Sequence, residues 1–300
     1  MFNTSLSSFP DAALLNLPFV KMQGAGNDFV VLDAFAHPFP HETNFSALAL
    51  LLCDRRHGVG GDGLLLLQPA QDGKSDVRMR MWNPDGSEDM CGNGLRCVAR
   101  LAFERGVVGD SFTVQTLPGT RRATIESPGS VRVEMGQPLW NASQIPLAPS
   151  LIEGSPQEFF LSLGETRVGP LCSVSTGSTH TVFWTDEATI AAHFEAWSPL
   201  LEVHPAFPQR SSILWTQMSR PNRARVRIWE RGVGETLACG TGACAVAVAA
   251  MQTGRTRARE MEVESRGGTL RILWDESGDV WKSGPAQVVF EGKFEMRGGL

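Results

Sequence analysis

Two stretches of this chain repeat one another, and that repeat limits the possible folds more than any other feature. RMWNPDGSEDMCGNGLRC fills positions 80–97 and RIWERGVGETLACGTGAC fills positions 227–244. Each begins as an alternating run ending in a tryptophan, Trp82 or Trp229, and passes through a turn-rich stretch. Each then reaches Cys-Gly-x-Gly at the mouth of an apolar, helix-like pattern. Cys91 and Cys239 lie 148 residues apart, about half of the 300-residue chain, so the repeat predicts two similar domains with one such cysteine each. A weaker echo runs in the same order: GAGNDFVVLD from Gly24 and TGSTHTVFWTD from Thr176 both pass from a glycine turn into a strand.

The rest of the chain reads as strand-rich. DFVVLD, VRMRMW, SFTVQT, SVRVEM, RVRIWE, EMEVES, TLRILW and AQVVFEG are alternating or β-branched runs bounded by turn residues. Helical spacing appears at about 46–56, 94–105, 187–203 and 242–252, with Gly106 and Gly254 placed as C-terminal caps. VESRGGTLRI reads as a hairpin turning at Gly267-Gly268, so the sheets should be mixed and largely antiparallel. The expected class is α+β rather than a doubly wound parallel sheet. The boundary should fall near Met135 to Pro138. Residues 1–136, with a C-terminal strand at about 287–300, would carry Cys91, and residues 137–286 would carry Cys239.

Composition removes several function classes. A formal net charge of −5 excludes a basic nucleic-acid binder. No apolar run reaches the roughly 18–20 residues that span a bilayer, and MFNTSLSSFPDAALLNLP lacks a basic n-region, so a cytoplasmic protein is expected. Six cysteines are too few to scaffold this length with disulfides. Tyrosine is absent, which leaves cysteine, histidine, lysine and carboxylates for acid–base work.

A cysteine at a helix N-terminus lies where unpaired N–H groups and the macrodipole favour an anion, lowering the thiol pKa. Gly92, Gly94, Gly240 and Gly242 let the backbone approach a bound carboxylate or phosphate. Two such thiols on opposite faces of a small anionic molecule suit two-base proton transfer at carbon, which inverts a stereocentre. Cys53, Cys97, Cys172 and Cys244 read instead as core packing. Zinc is disfavoured because the pairs are spaced Cys-x5-Cys and Cys-x4-Cys, and no Cys-x-x-Cys redox motif exists. HGVGGDG, positions 57–63, leads into a strand and lacks a following lysine, so it does not read as a phosphate loop.

With KMQGAGNDF at Lys21, DRRHGVGGDG at Asp54, NPDGSEDMCGNGLRC at Asn83 and WERGVGETLACGTGACA at Trp229, the chain resembles the diaminopimelate epimerase family from about Phe19 to Phe294. The resemblance implies two pseudosymmetric domains, each a β-sheet wrapped around a central helix, with neither cofactor nor metal. It implies interconversion of L,L- and meso-diaminopimelate, for lysine and peptidoglycan precursors, with Cys91 and Cys239 as acid and base. The substrate's reacting carboxylate should meet Gly92, Asn93, Gly240 and Thr241, and its distal end should meet Asn27, Asn83, Glu230 and Arg231. Where the family has two further asparagines at the distal end, this chain has Ser178 and Ser212, and Thr241 replaces a common serine. A small-molecule amino-acid substrate is the expected partner, with a homodimer compatible. The alternatives are another amino acid handled by the same two cysteines, or a non-catalytic thiol sensor or metal-binding protein.

Overall fold

The computed structural model describes residues 16–127 and 129–295. The opening segment read for a targeting signal, up to residue 15, and positions 296–300 of the expected C-terminal strand lie outside the described residues. The chain divides into two units, 1–131 with 285–300 and 132–284.

In the first unit β1 (Asn16–Gly24) pairs antiparallel with both β19 (Gln287–Glu295) and β2 (Asn27–Asp33). Helix α1 (Phe45–Leu52) then carries the chain to β3 (Gly63–Pro69), which lies parallel to β2. β4 (Val77–Trp82) runs antiparallel to β3 and meets the short β5 (Glu88–Asp89) at one end. Helix α2 (Gly92–Glu104) leads to β6 (Ser111–Thr116), parallel to β4, and β7 (Gly119–Ser127) closes the hairpin.

The second unit repeats this path. β9 (Glu153–Ser155), β10 (Glu158–Leu163), β11 (Thr166–Ser175) and β12 (Thr179–Trp184) pair antiparallel in turn. Helix α3 (Glu187–Glu202) leads to β13 (Ser212–Arg220), parallel to β12, and β14 (Arg223–Glu230) returns antiparallel with β15 (Gly234–Thr236) at its end. Helix α4 (Gly240–Gln252) leads to β16 (Glu260–Ser265), parallel to β14 and paired with β17 (Gly268–Trp274). β8 (Ser130–Gly136) and β18 (Val280–Pro285) complete the strands. The parallel pairs occupy the same places in both halves, so the twofold repeat seen in sequence is a repeat of topology. The sheets are mixed and mainly antiparallel, as the hairpin-like strand pairs indicate.

Why the strands enclose a helix follows from their side chains. Leu64 and Leu66 of β3 join the core with Leu48 and Leu52 of α1, while Leu65, on the other face, meets Gly94 of α2. A strand covered on both faces needs an unbroken apolar run, which explains LLLL. β13 repeats the alternation: Ile213 and Trp215 pack with Phe194 and Leu201 of α3, and Leu214 meets Gly242 of α4. α4 reads GTGACAVAVAAMQ, small and apolar on every side, and ten of its 13 residues are buried.

Four local boundaries differ from the sequence reading. Both central helices start two residues earlier than their periodicity indicates, directly after Cys91 and Cys239, because the glycines carry no apolar period. α1 stops at Leu52 rather than near Arg56, because the Asp54 carboxylate accepts the Arg56 and His57 N–H groups, each at 2.7 Å, and fixes a turn. The β16–β17 hairpin turns on Arg266-Gly267, since Ser265 already pairs with Gly268.

Candidate active site

Each unit presents one cysteine element. Cys91 and Cys239 are the N-cap residues of α2 and α4, both extended, at φ −125° and −134°. The first helical bonds run from Leu95 N to Cys91 O at 2.8 Å and from Ala243 N to Cys239 O at 2.9 Å. The N–H groups of the three residues after each cysteine therefore fall outside the helical ladder, where an anion can accept them. The glycine in each third position packs closely on a leucine of the strand behind. A Cβ on Gly94 would lie 2.8 Å from Leu65 Cδ2, and one on Gly242 would lie 3.1 Å from Leu214 Cδ2.

The polar groups behind the two cysteines differ. Behind Cys91, Asn93 Nδ2 donates to Asn27 Oδ1 at 2.6 Å, and Asn27 Nδ2 donates to Asp62 Oδ2 at 3.0 Å. Arg96 Nη1 donates to Asn93 Oδ1 at 3.0 Å and Arg96 Nε to Pro285 O at 3.2 Å. Asp62 also takes Arg55 at 2.7 Å, and Arg55 grips Asp28 through both carboxylate oxygens. Lys21 bonds Asp28 at 2.6 Å and also Gly60 O. Burial alone would raise Asp28, but bonds from Arg55 and Lys21 bring it down to about 2. Asn83 is engaged in its own turn, its amide donating to Ser87 Oγ at 3.1 Å.

Behind Cys239 the groups are hydroxyls and one imidazole. The Thr241 hydroxyl lies 3.4 Å from Cys239 Sγ, 2.9 Å from His180 Nε2 and 3.2 Å from Ser178 Oγ, which is itself 2.9 Å from His180 Nε2. Gly242 N–H donates to Cys239 Sγ at 3.4 Å, whereas the Cys91 side chain makes no capping bond. Ser212 Oγ accepts the Arg231 backbone N–H at 3.1 Å, and Thr236 Oγ1 donates to Glu230 Oε1 at 2.5 Å.

The helix-mouth argument predicts a lowered thiol pKa, and at Cys239 the structure reverses it. Burial first, then the Glu230 carboxylate, push Cys239 up to about 12 against the bonds from Thr241 and Gly242. Its exposure is 9 %, while Cys91 is half-buried. Burial and the charge of Arg231 push His180 down to about 3, so its imidazole is neutral. Cys53, Cys97, Cys172 and Cys244 are buried, in keeping with packing roles. Among the described residues no three His, Cys, Asp or Glu side chains are grouped to hold a metal ion.

The structure thus joins Asn27 to Asn93 in one element, and Ser178, Thr241 and Cys239 in the other. It sets Glu230 against Cys239. Sequence reasoning missed Asp62, Arg96 and the bonding role of His180. Asp62 and its partner Arg55 belong to DRRHGVGGDG, which served as a family marker and, through HGVGGDG, as a rejected phosphate loop, without a role for either side chain; His180 sits in the Gly177-Ser178-Thr179-His180 turn.

Comparisons with known proteins agree over most of the chain. The diaminopimelate epimerase family model matches residues 19–140 and 172–289. A diaminopimelate epimerase from Desulforudis audaxviator is 46% identical over 284 residues, covering 93% of this chain and 99% of its own. One from Pelotomaculum thermopropionicum is 42% identical over 287 residues, with 93% and 99% covered. Among solved structures, a Bacillus anthracis phenazine biosynthesis protein of the PhzF family aligns with a TM-score of 0.66 at 17% identity, over 94% of this chain and 99% of that one. A hydroxyproline epimerase from Agrobacterium vitis, solved with trans-4-hydroxy-L-proline, aligns with a TM-score of 0.64 at 13% identity, over 94% of each chain. At these identities the structural matches establish the fold alone.

Proposed function

The chain belongs to the diaminopimelate epimerase family, and from that premise we propose that Cys91 and Cys239 are the base and acid of its reaction. The activity is isomerisation of a small amino acid, L,L-diaminopimelate, to the meso form, a step of lysine biosynthesis. The observation that carries the two-cysteine mechanism is the repeated placement of a cysteine as N-cap of a central helix, with its glycine pressed on the strand behind.

In this reading the two elements bind opposite faces of one α-carbon. The substrate carboxylate accepts N–H groups of Gly92, Asn93, Gly240 and Thr241, which stabilises the charge that spreads from the α-carbon as its proton leaves. The half-buried Cys91, as thiolate, takes that proton. Cys239, kept protonated by burial and by Glu230, delivers its own proton to the other face. The bond to hydrogen breaks on one side and forms on the other, leaving Cys91 as thiol and Cys239 as thiolate, so the next turnover can run in reverse. Because the α-proton of an amino acid is very weakly acidic, the site must exclude water.

The distal end of the substrate falls to Asn27, Asn83, Ser178, Ser212, Glu230 and Arg231. Arg231 supplies a planar fork for a distal carboxylate. A cytoplasmic location and a homodimer belong to the same proposal. No helix among the described residues is long and apolar enough to cross a membrane, and Val288, Val289 and Phe290 leave apolar surface on β19 for sedimentation analysis to probe.

The test is epimerisation of L,L-diaminopimelate under reducing agent by the wild type, Cys91→Ala and Cys239→Ala. Each variant should lose about 10³-fold or more in rate while folding normally. Wild-type activity in either one would contradict the two-base assignment.

A further inference from the structure

The chain Asp62–Asn27–Asn93–Arg96 has a direction. A carboxylate only accepts hydrogen bonds and a guanidinium only donates them, whereas an amide does both. With Asp62 at one end, the amino group of Asn27 must face it, which turns the Asn27 oxygen toward Asn93. With Arg96 at the other end, the oxygen of Asn93 must face it, which turns the Asn93 amino group toward Asn27. Both ends impose the same orientation, and the three bonds of 3.0, 2.6 and 3.0 Å satisfy it throughout. Reversing Asn27 would set two oxygens against each other at the Asp62 contact. Asn93 is 2 % exposed and Arg96 fully buried, so water has little room to rescue a reversed amide.

Both ends are themselves fixed. Asp62 is held by Arg55 and by the Asp28 backbone N–H at 3.1 Å, and Arg96 by Pro285 O. We infer that Asp62 and Arg96 are positioning residues that orient the Asn27 and Asn93 amides, so that each uses its oxygen within the chain and the half-buried Asn27 offers its remaining N–H to an anionic ligand. This assignment rests on the reading that Asn27 and Asn93 line the substrate site. In the second unit the equivalent places hold Ser178 and Thr241, whose hydroxyls rotate and carry no such direction.

The experiment has two arms. In ¹⁵N-labelled enzyme the Asn27 side-chain amide, identified by its loss in Asn27→Ser, should show one proton moved downfield by the Asp62 carboxylate. Asp62→Asn, which keeps the shape and adds a donor, should abolish that shift and disturb the Asn93 amide as well. In kinetics on L,L-diaminopimelate, Asp62→Asn should raise KM about ten-fold while kcat stays within about three-fold, since an N–H from Asn27 to the distal end of the substrate, whose charge does not change in the reaction, contributes equally to ground and transition states. A loss confined to thermal stability, or an Asn93 amide that ignores Asp62→Asn, would overturn the inference. A wild type that shows the expected amide signals yet leaves L,L-diaminopimelate unchanged would overturn the functional reading and not this one.

Discussion

The two cysteine elements share a backbone and differ in what stands behind it. Behind Cys91, ions at both ends of an amide chain fix every donor and acceptor. Behind Cys239, two hydroxyls and a neutral imidazole can exchange roles, because each hydroxyl rotates and the ring has two tautomers. The same fold therefore builds one rigid element and one adjustable element. An adjustable group is what a cysteine needs if it alternates between giving and receiving a proton. Thr241 can accept from a thiol and donate to a thiolate without any heavy atom moving.

The largest expected contrast is in thiol reactivity. Raised from its ordinary 9 to about 12, the Cys239 thiol holds about a thousandth of the thiolate it would otherwise have at a given pH, and it is more buried than Cys91. Iodoacetamide at pH 8, followed by peptide mapping, should modify Cys91 about a hundred-fold faster or more. Equal rates would remove the distinction between the elements. Next comes the hydroxyl that makes the second element adjustable: Thr241→Val should lower kcat about ten-fold, whereas Thr241→Ser should remain near wild type, as steady-state rates would show.

The smallest effect is on acid stability. A buried histidine pushed down to about 3 lends stability that is present above its ordinary 6.5 and lost as pH falls toward 3. Asp28, held at about 2, loses its contribution only below its ordinary 3.8. The second element should thus loosen first on acidification. Register pairing of Val31 with Leu65 and Val182 with Leu214 puts His180 where the first unit has Phe29. His180→Phe should flatten the decline in unfolding free energy between pH 6.5 and 4 in urea titrations. An unchanged slope would show that His180 is not its source.

What could be read from the sequence was what repeats. The Trp-to-Cys-Gly-x-Gly stretch revealed both cysteines, both central helices and the twofold path, because those features depend on local period and on residues close in the chain. The chain Asp62–Asn27–Asn93–Arg96 was not legible, since Asn27 and Asn93 meet across 66 positions and nothing in either segment marks the other. DRRHGVGGDG drew attention through its glycines, while its structural work is done by Arg55 and Asp62. The reversed pKa of Cys239 also lay beyond the sequence. A helix N-terminus argues for a lower value, but the sign was set by burial and by Glu230, which reaches the thiol from the end of β14.

The claim that two different groups hold the proton before and after transfer is tested most directly by a single-turnover reaction of L,L-diaminopimelate in heavy water. The meso product should carry solvent deuterium at the inverted carbon from the first turnover, while recovered L,L substrate keeps its original hydrogen. Meso product that retains the substrate's own hydrogen would mean that one group both removes and returns the proton, and would contradict the paired roles of Cys91 and Cys239.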